Sequence, residues 1–319
     1  MKNLNLKRFF FVLLLVTTLL AATNHFLPEF TVAAEENTVT IIACSDFQNP
    51  SGNVAGSNLV KSILKQIKSH GHTDIQGFLC CGDYDYGYSR TSLGIDFLTR
   101  AIKGDFPDLE DDRFIFVQGN HDEVMQGSSG LTGSGLQDTE DYGVFVIDEA
   151  DYMWAFHGIE RNRIQNTADN LKAYLDIKSA SGYNKPIFVL SHLPLHYSMR
   201  TKNDGDGIYA DLIFNILNEA GQEGLNIFFL FGHNHSNDWD DYLGGSAVYL
   251  AKGDEINIAQ SSRSRFKKEI LNFTYLNAGY IGYYNNHNGA DDTLTMTVFT
   301  INDESVLVER YSAAGIHNL

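Results

Sequence analysis

After residue 37 the chain alternates apolar runs of strand length with amphipathic stretches. "TVTIIACS", "IQGFLCC" and "RFIFVQ" are rich in β-branched, aromatic and aliphatic residues and predict strands. Between the first two, "NLVKSILKQIKSH" places Leu59, Ile63 and Ile67 four apart, the repeat of one helix face, and "SLGIDFLTRAIK" predicts a second helix. The alternation continues. "YGVFVID" and "YMWAFHG" predict adjacent strands, "NTADNLKAYLDIKSA" a helix, "KPIFVLS" a strand, "YADLIFNILNEA" a helix and "NIFFLFG" a strand. The last third changes character: "SAVYLAK", "FTYLNAG", "TLTMTVFTI" and "SVLVERY" are strands without long helices between them. A β-α-β series predicts a largely parallel sheet, and a strand-rich tail predicts antiparallel additions. No Pro- or Ser-rich linker and no internal repeat divides the chain, so the pattern predicts one α/β domain with two packed sheets and helices outside.

The first residues read differently. Lys2, Lys7 and Arg8 precede the apolar run "FFFVLLLVTTLLAA", and Val32 and Ala34 stand at −3 and −1 of a cleavage position. This predicts a signal peptide over residues 1–34, cleaved after Ala34, with residues 35–319 as the exported domain. An uncleaved anchor is the alternative, but the run is shorter than the ~20 residues a spanning helix needs. Nothing later in the chain could span a membrane.

The 319 residues carry a formal net charge of −17, and losing the leader removes three basic residues and one acidic residue, which leaves −19. That balance opposes docking on a nucleic-acid backbone or an anionic membrane. An anionic substrate would need a local positive centre, which a metal could supply. The three cysteines, Cys44, Cys80 and Cys81, all end apolar runs and read as small buried hydrophobes. A bridge from Cys44 to Cys80 or Cys81 would require neighbouring strands.

The chemistry sits at the strand ends. "TIIACS" runs into Asp46, with Gln48 two residues on; "GFLCCG" runs into Asp83; "FIFVQG" into Asn120, His121 and Asp122; "PIFVLS" into His192, with His196 beyond; "IFFLFG" into His233 and His235. In open α/β sheets, ligands bind outside the carboxyl ends of the strands. Five apolar strands ending in metal-capable residues point to one shared site.

The blocks "DFQ", "GDYDY", "GNHD", "SHLPLH" and "GHNH", in that order, resemble the calcineurin-like metallophosphoesterase superfamily. The resemblance implies a four-layer αββα sandwich, two packed mixed β-sheets flanked by helices, and a site with two divalent or mixed-valence ions (Mn, Fe or Zn). It implies that Asp46 and His235 hold the first ion, that Asn120, His192 and His233 hold the second, and that Asp83 bridges them. Carboxylates, imidazoles and an amide oxygen suit such borderline ions. His121 would face the substrate and protonate the leaving oxygen or stabilise the transition state, oriented by a neighbouring carboxylate, Asp122 being the nearest and Asp46 another.

The chain departs from the pattern at Gln48, where most of the family has His. A Gln can offer its amide oxygen to a metal, or bind a water or the phosphate. Tyr86 follows Asp83 by three residues, the offset of the metal-binding Tyr in purple acid phosphatases; a core- or substrate-facing aromatic is the preferred reading. His196 either contacts substrate or is a hydrogen-bonded core residue. The expected function is metal-dependent hydrolysis of a small phosphoester, monoester or diester. The alternative is a binding or sensor protein that keeps the fold with an impaired first-metal site.

Overall fold

A computed structural model describes residues 38–48, 54–85, 91–122, 131–133, 135–147, 161–196, 210–233, 249–259, 266–282 and 294–317. The expected leader, the "YMWAFHG" strand, Tyr86 and His235 lie outside these residues.

β1 (Val39–Cys44) runs parallel to β2 (Gly77–Cys80), and β2 runs parallel to β3 (Phe114–Phe116). Parallel neighbours need a crossover, which α1 (Val54–Ser69) and α2 (Thr91–Asp105) supply. On its other side β1 takes antiparallel β12 (Thr295–Ile301), followed by β13 (Val306–Ser312) and β14 (Gly315–His317). This six-stranded sheet has the order β14-β13-β12-β1-β2-β3.

The second six-stranded sheet contains β4 (Gly135–Leu136), β5 (Gly143–Ile147), β6 (Ile187–Ser191), β7 (Ile227–Phe231), β11 (Thr274–Asn277) and β8 (Tyr249–Leu250), in that order. Its four central strands are parallel and its two edge strands antiparallel. α3 (Arg161–Ala180) lies in the chain between β5 and β6, and α4 (Ala210–Gln222) between β6 and β7. β9 (Glu255–Ala259) and β10 (Phe266–Ile270) form a separate antiparallel ribbon.

The layering follows from the period-2 alternation of the strands. On β1, Ile41 and Ala43 join Leu79, Ile115, Val144, Val146, Phe188, Leu190, Phe228 and Leu230 in the core between the two sheets. Ile42 and Cys44 face the other way and join Val60, Ile63, Leu64 and Ile67 of α1 and Ile95, Leu98 and Ile102 of α2. The buried α1 positions recur at i, i+3, i+4 and i+7, one helical stripe. On the second sheet, Phe145, Ile147, Ile187 and Val189 pack against Leu171 of α3 and Ile213, Phe214 and Leu217 of α4. Two mixed sheets share one core and each is covered by helices, which is the expected αββα sandwich. Each fully buried Ile, Leu or Phe contributes roughly 1.5–3 kcal/mol.

Two strands of the ribbon were not among the predicted elements. β10, "FKKEI", leaves its lysines exposed, and its charge hides it from a search for apolar runs. "SAVYLAK" contributes only Tyr249–Leu250 among the described residues. The strands of Cys44 and Cys80 are neighbours in direct register, with the sulfurs 3.7 Å apart, but all three thiols are free and buried. Burial pushes the Cys44 and Cys81 thiols well above the ordinary value.

Candidate metal centre

β1, β2 and β3 of one sheet and β6 and β7 of the other release their chains towards a common cluster. Asp46 lies two residues past β1, Asp83 three past β2, His192 immediately past β6 and His233 two past β7. Their meeting is recorded by hydrogen bonds between the sheets. His192 Nδ1 lies 2.7 Å from the Cys81 carbonyl, and the His233 backbone N–H donates to Asp46 Oδ2 at 2.9 Å.

The backbone is forced there. Among the described residues, the four non-glycine residues with positive φ are Asp46 (53°), Gln48 (36°), Asp83 (61°) and His233 (68°). Side chains disfavour that region, and such strain gathers where the surrounding structure over-determines a functional geometry. Clamps hold it. The Asp46 N–H donates to the Gly82 carbonyl at 2.9 Å, and the Gln48 N–H to the Asp83 carbonyl at 3.0 Å. Asp122 accepts the N–H groups of Gly119 at 2.7 Å, Tyr84 at 2.8 Å and Asp83 at 2.9 Å, so both its oxygens hold backbone. Tyr84 Oη reaches the carbonyls of Cys80 (3.0 Å) and Val117 (2.8 Å), tying the ends of β2 and β3.

Glycines make the approach possible. A Cβ at Gly119 would collide with Asp83 Oδ1 and the Asp83 backbone nitrogen. At Gly82, whose φ is +91°, a Cβ would come within 2.6 Å of His192 Nδ1.

Donor atoms converge. One ligand atom from each of Asp46, Asp83 and His192 lies within 4.8 Å of the others, and all three residues are fully buried. Asn120 Oδ1 is 3.0 Å from His192 Nε2 and 3.0 Å from His233 Nδ1. The two histidine nitrogens are 3.2 Å apart, and Asp83 Oδ2 is 3.4 Å from His192 Nε2. Ligands at ~2.1 Å from one ion stand ~3.0 to ~3.4 Å from each other in octahedral or tetrahedral arrangements, so these four atoms have the spacing of a ligand shell. His192 also has the partner a metal-ligating imidazole needs. Its Nδ1–H donates to the Cys81 carbonyl, which leaves Nε2 as the nitrogen that faces the cluster, ready to exchange its proton for an ion. The residues present therefore fit a divalent ion.

The electrostatics agree. Burial pushes the Asp46 carboxyl up to about 6, the Asp83 charge adding to it and His192 opposing it. Burial would raise Asp83 as well, but the charge of His192 and its hydrogen bond, with His121 beyond, outweigh that and hold Asp83 well below the usual carboxylate range. Burial would lower His192; the charge and hydrogen bond of Asp83, then Asp46, lift it to about 10. Two buried carboxylates thus draw in positive charge.

The other expected residues fall as follows. His121 is half-buried, its backbone N–H donating to Asp83 Oδ1 at 2.8 Å. Gln48 is fully buried, and its side-chain N–H donates to Asp83 Oδ2 at 2.9 Å. His196 is buried, its Nδ1 2.7 Å from Tyr275 Oη. That hydroxyl also accepts the N–H groups of Leu195 and His196, so its proton goes to Nδ1. The sequence marks Gly119 as the turn into its polar cluster, but the Cys81 carbonyl and the Tyr84 hydroxyl that tie the strand ends were missed. A Gly before each of Asp83, Asn120 and His233 was the available signal.

A buried Asp/Asp/His cluster at the strand ends of a two-sheet sandwich defines a candidate metal-binding protein. The chain belongs to the calcineurin-like phosphoesterase family, whose model matches residues 39–237, more than half of its length. That family implies metal-dependent phosphoester hydrolysis with divalent ions. No curated protein matches the chain. Among solved structures it is similar to GAP50, the anchor in the inner membrane complex of Plasmodium, over 88% of each chain, at 11% identity and a TM-score of 0.47. At that identity the likeness says nothing of function. No described helix is long and apolar enough to cross a membrane.

Proposed function

We propose that this protein is an exported hydrolase of small phosphoesters, active with divalent ions held by Asp46, Asp83, Asn120, His192, His233 and His235. The observation that carries the reading is the ligand-shell spacing of Asp83 Oδ2, Asn120 Oδ1, His192 Nε2 and His233 Nδ1, at 3.0 to 3.4 Å between neighbours. Ions bound there supply positive charge for the phosphoryl oxygens and a nucleophile from water near neutral pH.

The side chains divide the remaining work. Asp83 lies between the Asp46 and His192 sides of the cluster and serves both. His121 sits beside Asp83 and delivers the proton to the leaving oxygen. Asp122 is a positioning residue rather than the carboxylate partner of His121, because its oxygens hold Gly119, Asp83 and Tyr84 in place. His196 is a core residue bonded to Tyr275. The acidic chain favours small esters over nucleic-acid polymers, and the basic-then-apolar N-terminus carries the export proposal.

The test is turnover of a chromogenic phosphodiester and a chromogenic phosphomonoester, with chelator and with added manganese. Activity that chelator removes and manganese restores is expected. His121→Ala should then lower turnover while metal content stays intact. A competing reading, a binding protein on the same fold, draws on the donor contact of Gln48; metal uptake without turnover of any phosphoester would favour it.

A further inference from the structure

Gln48 stands at the block where most of the family carries an imidazole, and the structure shows what it does instead. Its backbone N–H donates to the Asp83 carbonyl at 3.0 Å and its side-chain Nε2 to Asp83 Oδ2 at 2.9 Å. The orientation of the amide follows from its partner: Oε1 in that place would face a carboxylate oxygen. Among the described residues, Oε1 has no hydrogen-bond partner, although Gln48 is fully buried. The residue before it is locked as well, the Phe47 ring stacking on Phe97 of α2 at 5.1 Å. Gln48 thus presents a proton donor to the carboxylate where an imidazole would present a lone pair to an ion.

The two sides of Asp83 differ accordingly. On one side Asn120, His192 and His233 bring ligand atoms to within 3.0 to 3.4 Å of one another and of Asp83 Oδ2. Towards Asp46 the carboxylate of Asp83 has less to give: Oδ2, already turned to His192, also takes the Gln48 side chain, Oδ1 takes the His121 N–H at 2.8 Å, and both oxygens of Asp46 take the His233 N–H at 2.9 and 3.2 Å.

We propose that Gln48 makes this centre asymmetric: one divalent ion is held tightly by Asp83, Asn120, His192 and His233, and the position on the Asp46 side fills only weakly. The proposal rests on the metal-centre reading above. It makes the second ion a concentration-dependent component, recruited when the metal is abundant or when a substrate phosphoryl group brings further oxygen donors.

The experiment is a metal titration that does not depend on turnover. The full chain is stripped with chelator, dialysed and titrated calorimetrically with Mn²⁺, and bound manganese is counted. The wild type should take one equivalent tightly and a second ~100-fold more weakly, the upper end of what losing a supporting partner of a metal costs. Asn120→Ala should lose the tight equivalent. Gln48→His should take two equivalents of similar affinity and show the spin-coupled signal of a manganese pair. Two equally tight equivalents in the wild type would overturn the asymmetry while leaving the metal centre standing. No uptake at all would overturn the metal-centre reading and the asymmetry with it. If Gln48→His fails to fold, the wild-type and Asn120→Ala titrations still decide.

Discussion

Asp122 accepts the backbone N–H of Asp83 at 2.9 Å, so one carboxylate outside the ligand shell sets the conformation of the residue at its centre. Asp83 is held at a φ of 61°, and the same Asp122 carboxylate also takes the N–H groups of Tyr84 and Gly119. Asp122→Asn would turn an amide NH₂ towards backbone donors. Each buried donor left unsatisfied costs about 1–3 kcal/mol. The variant should show that loss in chemical denaturation and a metal affinity lower by roughly 10–100-fold. Unchanged stability and affinity would remove Asp122 from the positioning role.

Gly119 tests the same packing sterically. Gly119→Ala puts a methyl group onto Asp83 Oδ1 and its backbone nitrogen, so Asp83 must move. Overpacking of this kind costs about 1–3 kcal/mol, and manganese uptake should fall with it. Gly104 in α2 is the control, since a Cβ there meets nothing within 4 Å. Gly104→Ala should leave uptake unchanged and, at this exposed helix position, stabilise the fold by roughly 0.5–1 kcal/mol. Equal metal uptake by wild type and Gly119→Ala would contradict the close approach.

His196 makes one contribution to the pH dependence of stability, opposed in part by the raised carboxyl of Asp46. Burial lowers the pKa of His196 to about 4, so it is neutral in the fold near pH 7. The unfolded chain, with an ordinary pKa of ~6.5, binds more protons between those values. Stability from this group is therefore present above pH ~6.5 and is lost as the pH falls towards 4, by at most about 3 kcal/mol. His196→Gln keeps an acceptor for Tyr275 and should remove this one-proton dependence, so that its stability profile diverges from that of the wild type between pH 4 and 6.5. Wild-type and variant profiles of identical slope would refute the assignment.

Much of this architecture was legible because burial writes itself into the sequence with a period. "TVTIIACS" and "KPIFVLS" announce strands, and the alternation of Ile41 and Ala43 with Ile42 and Cys44 decides which side faces the second sheet. The positions of Asp46, Asp83, Asn120, His192 and His233 at strand ends were legible for the same reason. What was hidden depends on backbone or on orientation. The hydrogen bond from His192 Nδ1 goes to a main-chain carbonyl, that of Cys81, which no residue type signals. Asp122 looks like a partner for His121 by proximity in the chain, yet spends its oxygens on Asp83 and Tyr84, 39 and 38 positions upstream, as well as on Gly119. Gln48 could be read as a ligand by composition alone; only geometry turns its N–H, rather than its oxygen, towards Asp83.

The most direct test of the account places hydrolysis and metal content side by side in the wild type and Asp83→Asn. In the proposed centre Asp83 is the carboxylate that serves both ions, and the exchange removes its charge while keeping its shape. The account predicts manganese-dependent turnover of a chromogenic phosphoester by the wild type, and loss of both turnover and tightly bound manganese in the folded variant. A folded Asp83→Asn that keeps its manganese and hydrolyses the ester at the wild-type rate would contradict it.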